Sequence, residues 1–166
     1  MGAGRQEQED IFARQVEVHA DRVLRLGFLH LGSWPDAQDV CQDVLLKLFA
    51  KQPVFHDAEH EKAWIIRVTI NACRDLRRSF WKKRWVLVEE MPQPQLSPAG
   101  RDVLSDVLAL PRKYRMVIHL HYYEGYSTAE IAKILQLNEN TVRTQLKRGR
   151  ERLKRHLEGG MDSDEQ

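Results

Sequence analysis

Residues 127–156 read STAEIAKILQLNENTVRTQLKRGRERLKRH, and this stretch predicts two short helices joined by a tight turn. Ser127, followed three residues later by Glu130, matches a capping box at the start of the first helix. Asn138 suits the N-cap of the second helix, which we expect over about residues 139–157. Apolar residues recur on one face of each helix and are expected to be buried. They are Ile131, Ala132, Leu135, Leu137, Val142 and Leu146.

The second helix of this pair is strongly basic. Between Thr141 and His156 it carries seven lysine or arginine residues against one acid, Glu151. Such a helix after a tight turn can enter the major groove, where arginine pairs with guanine, while lysine or arginine binds the backbone phosphates. The sequence therefore predicts a DNA-binding helix-turn-helix, against the alternatives of a solvated charged helix or a patch for an acidic protein. The candidate DNA-contacting residues are Arg143, Thr144, Lys147 and Arg148.

The turn of this motif carries Gln136 where such motifs often have glycine. We therefore expect a non-glycine residue in a left-handed conformation, at a modest cost. This is the one local departure from the pattern.

The rest of the chain also has helical periodicity, and no stretch alternates convincingly as a strand should. A first helix is expected over about residues 9–29, a second opens at Pro35, and a third spans about residues 61–85. The second helix has the clearest apolar stripe. Its members are Ala37, Val40, Cys41, Val44, Leu45, Leu48 and Phe49. The inward faces of the first and third helices are Phe12, Val16, Ala20, Val23 and Leu24, and Ile65, Val68, Ala72 and Leu76.

The helical pattern fails after residue 85, where prolines, glycine and glutamines indicate a linker. We therefore expect an all-α fold of two small helical domains, the second of which contains the helix-turn-helix. The expected ranges are 1–85 for the first domain, 86–101 for the linker, 102–160 for the second domain and 161–166 for a tail. Within the second domain, a short helix over 102–108 precedes one that opens at Pro111 and stops before Gly125.

The composition is that of a folded, soluble protein. Of its 166 residues, 42% are hydrophobic and 30% charged, and the net charge is +2. Cys41 and Cys73 lie in apolar helical patterns, so buried free thiols are expected rather than a disulfide, which fits a cytoplasmic protein. The first ten residues are too polar for a signal peptide, and no run approaches the ~20 apolar residues that span a bilayer. We expect no membrane insertion.

The second helix presents an acidic face opposite its apolar stripe. Asp39, Gln42, Asp43 and Leu46 follow i, i+3, i+4, i+7 spacing. This face is a candidate docking patch for a basic protein. The alternatives are a solvated surface and a carboxylate pair for metal or acid–base chemistry.

A second basic patch reads RDLRRSFWKKRW over residues 74–85. Cations interleaved with aromatic residues suit single-stranded nucleic acid, because its bases can stack. The alternative is a helix end with favourable cations and tryptophans that belong to the core. The same helix places one polar face at i, i+4, i+7, i+11 spacing, formed by Arg67, Asn71, Arg74 and Arg78.

Other chemistry has little support in the sequence. His56 and His60 are four residues apart and could grip a metal ion, but no third ligand is evident. His119 and His121 are two apart, so they point to different faces of a helix. There is no phosphate-binding glycine loop, no Ser/His/Asp pattern and no zinc-type cysteine pairing. We expect no catalytic site, no metal and no cofactor.

Five motifs along the chain form one ordered set. They are DAQDVCQDV at 36–44, AWIIRVTIN at 63–71, Leu110-Pro111 with Tyr114-Arg115, TAEIA at 128–132 and NTVR at 140–143. In this order they resemble the extracytoplasmic-function (ECF) group of the sigma-70 family of RNA polymerase sigma factors. The resemblance covers about residues 11–157.

The resemblance implies a role for each face. Asp39, Gln42 and Asp43, with the neighbouring Leu46, would dock on the clamp helices of the polymerase β′ subunit. Asn71 and the loop His56–Lys62, with the polar face of the third helix, would hold unpaired bases of the −10 element. Arg143, Thr144, Lys147 and Arg148 would read the −35 element, and the second domain would also sit on the flap of the β subunit. Factors of this family are often held by an anti-sigma protein.

Two departures from the family pattern concern the −10 region. Residues 68–70 read Val-Thr-Ile where Ile-Ala-x is common, and no aromatic residue lies between His56 and Lys62. The expected function is a non-enzymatic initiation factor that binds core RNA polymerase and promoter DNA. One alternative is a conventional helix-turn-helix regulator acting without polymerase. The other is a metal-dependent nucleic-acid enzyme using Asp36, Asp39 and Asp43.

Overall fold

The computed structural model describes residues 2–83 and 103–161. Within these ranges every regular element is helical, so the predicted all-α class is confirmed. The chain divides into two compact units, residues 1–93 and 94–166, and the predicted linker falls on residues outside the described ranges. The first unit contains α1 (Gly2–Leu31), α2 (Trp34–Lys51) and α3 (Ala58–Lys83). The second contains α4 (Val103–Leu108), α5 (Arg112–Ile118), a π-helical segment (His119–Tyr123), α6 (Thr128–Leu135) and α7 (Glu139–Met161).

Local chemistry fixes the junctions between the first three helices. Gly32, at a φ of +71°, ends α1. The Ser33 hydroxyl then accepts a hydrogen bond from the backbone N–H of Asp36 and caps α2, with Pro35 in its first turn as predicted. At the other end Gln52 takes a left-handed conformation, at a φ of +43°, and closes α2 before Pro53.

Helix α1 begins seven residues earlier than predicted. Its first turns are polar, so they give no apolar period in the sequence, but side-chain pairs four residues apart support them. Arg5 Nε donates to Glu9 Oε1 at 3.1 Å, and Gln6 Nε2 donates to Asp10 Oδ1 at 3.2 Å. Local pairing of this kind therefore supports the first turns of α1.

The core of the first unit lies where α1, α2 and α3 meet. Its buried members are Val23, Val40, Cys41, Val44, Leu48, Ile65, Ala72 and Cys73. The predicted stripe of α2 is wrong at one position, because Phe49 is 47% exposed and packs edge-on against Phe12 with ring centroids 5.1 Å apart. Cys41 and Cys73 are buried free thiols as expected, and burial raises the pKa of Cys73 to about 12.

In the second unit, the helices α4, α5 and α6 each pack against α7. Gly149 of α7 is buried where a Cβ atom would lie 3.1 Å from the side chain of Ile118, so the two helices approach closely. The helix predicted from Pro111 to Glu124 is present, but its last turn is a π-helix, in which the N–H of Glu124 donates to the carbonyl of His119. Gly125, at a φ of +79°, ends it as expected.

In the described ranges, no helix combines the length and the apolar character that a membrane crossing requires.

Candidate nucleic-acid interface and docking faces

The first helix of the predicted helix-turn-helix begins with a complete capping box. The Ser127 hydroxyl accepts from the N–H of Glu130 at 3.2 Å, and the Glu130 carboxylate accepts from the N–H of Ser127 at 2.8 Å. Both donors would otherwise lack partners at the helix start, so this local pair defines where α6 begins. Ile131, Ala132 and Leu135 are buried as predicted.

The turn between α6 and α7 depends on a left-handed glutamine. Gln136 has a φ of +55°, as the sequence analysis expects, and its N–H donates to the carbonyl of Lys133. The N–H of Leu137 donates to the carbonyl of Ala132 at 2.9 Å, which completes a Schellman motif. The prediction that Leu137 is buried is wrong, because the reversal leaves this side chain 39% exposed while Ile134 is buried.

Helix α7 carries the predicted recognition face. Its start is capped by Asn138, whose side-chain oxygen accepts from the N–H of Asn140 at 2.8 Å. Val142 and Leu146 are buried, as predicted, and this fixes which side of α7 points outward. The four candidate DNA-contacting residues are all exposed: Arg143, Thr144, Lys147 and Arg148.

Glu139 connects the two helices of the motif, a role that the sequence analysis missed. Its Oε1 accepts from the Thr128 hydroxyl at 2.9 Å and from Arg143 Nη2 at 2.8 Å. Glutamate four residues before an arginine is a recognisable helix pair. The contact with Thr128, eleven residues away, has no such signal. Glu139 therefore holds the guanidinium of Arg143 at the start of the recognition helix.

Two further arginines of α7 form a separate group. Arg150 donates to the Tyr122 hydroxyl at 3.0 Å, and the guanidinium of Arg152 lies 5.1 Å from the ring centroid of Tyr114. These arginines pack against the body of the second unit. The basic count of α7 therefore includes two arginines that contact the rest of the second unit.

The acidic face of α2 is exposed along its length. Asp39, Gln42 and Asp43 are exposed, and Leu46 is 61% exposed. Asp43 pairs with Lys47 at 3.0 Å, an exposed pair that leaves the acidic face accessible. The face therefore combines two carboxylates with an unburied apolar side chain.

The polar face of α3 is also accessible. Arg67, Asn71 and Arg78 are exposed, and Arg74 is half-buried. The aromatic residues of the second basic patch, Phe80, Trp81 and Trp85, lie outside the residues whose side chains the structure describes.

The predicted loop His56–Lys62 is largely helical. Helix α3 starts at Ala58, so only the connection before it is irregular. The Asp57 side chain accepts from the N–H of His60 at 2.8 Å, and His60 Nδ1 accepts from the N–H of His56 at 3.1 Å. Phe55 packs edge-on against Trp64 at 5.7 Å. Over the described ranges, no three side chains of ligating type come together in a metal-binding arrangement.

A buried carboxylate joins α3 to α1, and the sequence analysis missed it. Glu61 Oε1 lies 2.7 Å from His19 Nε2, and Glu61 Oε2 accepts from Arg14 Nη2 at 3.1 Å. Burial raises the pKa of Glu61, but hydrogen bonds from His19, Arg14 and Gln15 outweigh it and hold that pKa below its usual value. Partners 42 and 47 residues away leave no periodic signal.

A helix-turn-helix with an outward basic helix, in a chain of two helical units, defines a DNA-binding transcription factor. Two family models match the chain in these units. Sigma-70 region 2 matches residues 15–83, and Sigma-70 region 4 matches residues 107–153.

Similarity to known proteins extends over most of the chain. The ECF RNA polymerase sigma factor SigW of Bacillus subtilis is 27% identical, over 90% of each chain. The ECF RNA polymerase sigma factor SigL of Mycobacterium tuberculosis is 33% identical, over 77% of this chain and 78% of its own. The chain belongs to the ECF group of the sigma-70 family, RNA polymerase sigma factors that direct core polymerase to promoters and initiate transcription there.

A solved structure shares the fold. The sigma factor RpoE, solved in complex with the anti-sigma factor NepR from Bartonella quintana, gives a TM-score of 0.67 at 23% identity. The match covers 89% of this chain and 96% of RpoE. It supports the two-domain helical architecture.

Proposed function

We propose that the two described units divide the work of promoter recognition among three faces. The acidic face of α2 binds core polymerase, the polar face of α3 and the loop His56–Lys62 at its start hold the −10 strand, and α7 reads the −35 element. The observation that carries this proposal is that all three faces are exposed while each helix buries its other side. The proposed domain ranges are 1–85 and 102–160, joined by 86–101.

The acidic face is assigned to the clamp helices of the β′ subunit. Two carboxylates, Asp39 and Asp43, steer a basic surface, and exposed Leu46 supplies apolar area for the contact. Gln42 lies between them and can donate or accept a hydrogen bond.

The −10 and −35 contacts are assigned by side-chain chemistry. Arg67, Arg74 and Arg78 suit the phosphates of the melted strand, while Asn71 can bond a base edge. On α7, Arg143 and Thr144 suit base edges, and the cations Lys147 and Arg148 suit phosphates.

The second unit also offers an apolar groove, which we assign to the flap of the β subunit. The groove runs between α7 and the segments before α6, where Tyr122 is 57% exposed and Leu157 48% exposed. Its other apolar lining residues are Val107, Ile118 and Leu153.

We propose that the protein acts without catalysing a reaction and that it works in the cytoplasm, where polymerase is found. An anti-sigma protein is the further partner that membership of the group implies. The family relationship supports this last point, since the sigma factor RpoE was solved in complex with the anti-sigma factor NepR.

The test of the acidic face is a pull-down with core polymerase from the encoding bacterium. We expect the double variant Asp39→Arg with Gln42→Ala to lose core binding while its circular dichroism spectrum stays unchanged. Glu17→Arg is the matched control, since Glu17 is an exposed acid on α1, away from the face. Unchanged binding by the double variant, or equal loss by Glu17→Arg, would contradict the assignment.

A further inference from the structure

Glu61 is an unusual residue for its position. It lies in the first turns of α3, yet its side chain is only 9% exposed and points at α1. Three side chains of α1 donate to its carboxylate: Arg14, Gln15 and His19. Arg14 also approaches the second oxygen, at 3.3 Å. A single carboxylate thus joins two helices through several charge-assisted hydrogen bonds.

The protonation state of this network follows from its geometry. Arg22 Nη1 lies 2.7 Å from His19 Nδ1, and a guanidinium can only donate, so Nδ1 accepts. The hydrogen of a neutral imidazole is then on Nε2, which donates to Glu61. Burial lowers the pKa of His19 by more than the carboxylate raises it, in keeping with a neutral ring. The pair is a hydrogen bond to a carboxylate rather than an ion pair.

Such a network adds little more to the strength of helix packing than apolar residues in its place would. A well-packed apolar residue often stabilises a protein as much as a buried charged group, because desolvation offsets the charge interactions. What the carboxylate adds is a defined position. Because both of its oxygens accept from donors on α1, they fix where the first turns of α3 lie along the helix axis and how those turns are rotated about it.

The loop before α3 is attached to those same turns. The N–H of Glu61 donates to the carbonyl of Asp57, and the adjacent His60 donates its N–H to the Asp57 side chain. His60 in turn accepts from the N–H of His56. The rings of His56 and His60 stack with centroids 5.0 Å apart. A displacement of Glu61 is therefore passed directly to the backbone of residues 56–60.

We infer that Glu61 is a positioning residue for strand capture: through Asp57 and His60 it sets the loop that receives the unpaired −10 base, without touching DNA. The inference rests on the proposed function, which places the −10 strand at this loop. Because Arg14 and His19 hold Glu61 from α1, they belong to the same positioning network. The acidic face of α2 takes no part in it.

The test uses holoenzyme and a labelled single-stranded oligonucleotide carrying the −10 element of a promoter selected with the wild type. Fluorescence anisotropy compares its affinity with that of an oligonucleotide in which the −10 bases are replaced. We expect Glu61→Gln to weaken binding to the −10 oligonucleotide about tenfold and to reduce the preference for it over the oligonucleotide with replaced bases, because a displaced loop misplaces its contacts. Core binding should change less than about twofold. Glu17→Gln, the same substitution at an exposed site on α1, should change neither.

Arg14→Met is the second variant, because Arg14 is half exposed and its loss is compatible with folding. We expect the same change in −10 discrimination, to a smaller extent. Full discrimination in both variants would overturn the inference, as would a proportional loss of core binding and melting temperature. The loop variant His56→Ala distinguishes a failure of this inference from a failure of the proposed function. If it also leaves −10 binding intact, the loop does not hold the strand and the proposed function itself fails.

Discussion

Gln136 shows how one residue can complete a turn at some cost. Its left-handed backbone lets the next N–H reach back to the carbonyl of Ala132, so the chain can reverse between α6 and α7. A side chain with a Cβ atom is strained in this conformation, whereas glycine is not. The protein thus holds the proposed DNA-reading helix on a turn that is not optimised for stability.

Gln136→Gly should therefore stabilise the second unit. We expect the free energy of unfolding to rise by about 0.5–1 kcal/mol, since relief of left-handed strain exceeds the added flexibility of the unfolded chain. Urea denaturation followed by circular dichroism measures it. Gln136→Ala retains the Cβ atom and should give no gain; an equal gain from alanine would show that strain is not the cause.

Arg143 is the residue on which we propose that sequence reading by α7 most depends. Its guanidinium is held by Glu139 and lies on the exposed face. Arg143→Ala should cost about 1–3 kcal/mol at one base pair and relax specificity there. Transcription from a panel of −35 variants measures this. A uniform loss over the whole panel would instead identify a phosphate contact, for which Lys147→Ala is the comparison.

At the scale of elements, the contact between α1 and α3 has a polar end and an apolar end. Val23 and Ile65 belong to the apolar core, while His19 and Glu61 form the polar network nearer the loop. The pKa of His19 and that of Glu61 both lie below their ordinary values. In each case the folded state binds a proton less readily than the unfolded chain.

This predicts that acid weakens the contact between α1 and α3. The His19 contribution is fully present above its unfolded pKa of 6.5 and is lost as the pH falls towards the lower folded value. The Glu61 contribution is present above 4.5 and disappears only as the pH falls through its lowered folded value. Unfolding free energies between about pH 7.5 and pH 5.5 should decline, and His19→Gln should flatten that decline. An identical slope in the variant would exclude His19 as its source.

The elements that the sequence predicted well are those whose ends are set by neighbouring residues. The capping box at Ser127 and the glycine stop at Gly125 are local and were found at the predicted positions. The network at Glu61 was missed because it depends on a distant helix, and Phe49 was misplaced because the stripe of α2 continues beyond the core that covers it. Periodicity indicates which face is apolar but not where the partner helix ends.

Each unit presents a proposed binding face on the side that its own core leaves exposed. The first unit buries one side of α2 and exposes Asp39 and Asp43 on the other, and the second does the same with α7 and Arg143. The family relationship makes the chain a promoter-recognition factor. The substitutions test which residues contact polymerase and which contact DNA.

We infer that this chain gives core RNA polymerase its promoter specificity through both units. In vitro transcription with purified core polymerase and random-sequence templates tests this inference. We expect discrete start sites that depend on the added protein, with templates that share two short sequence elements upstream. Starts that are no different with core polymerase alone, or enriched templates that share no upstream element, would contradict the account.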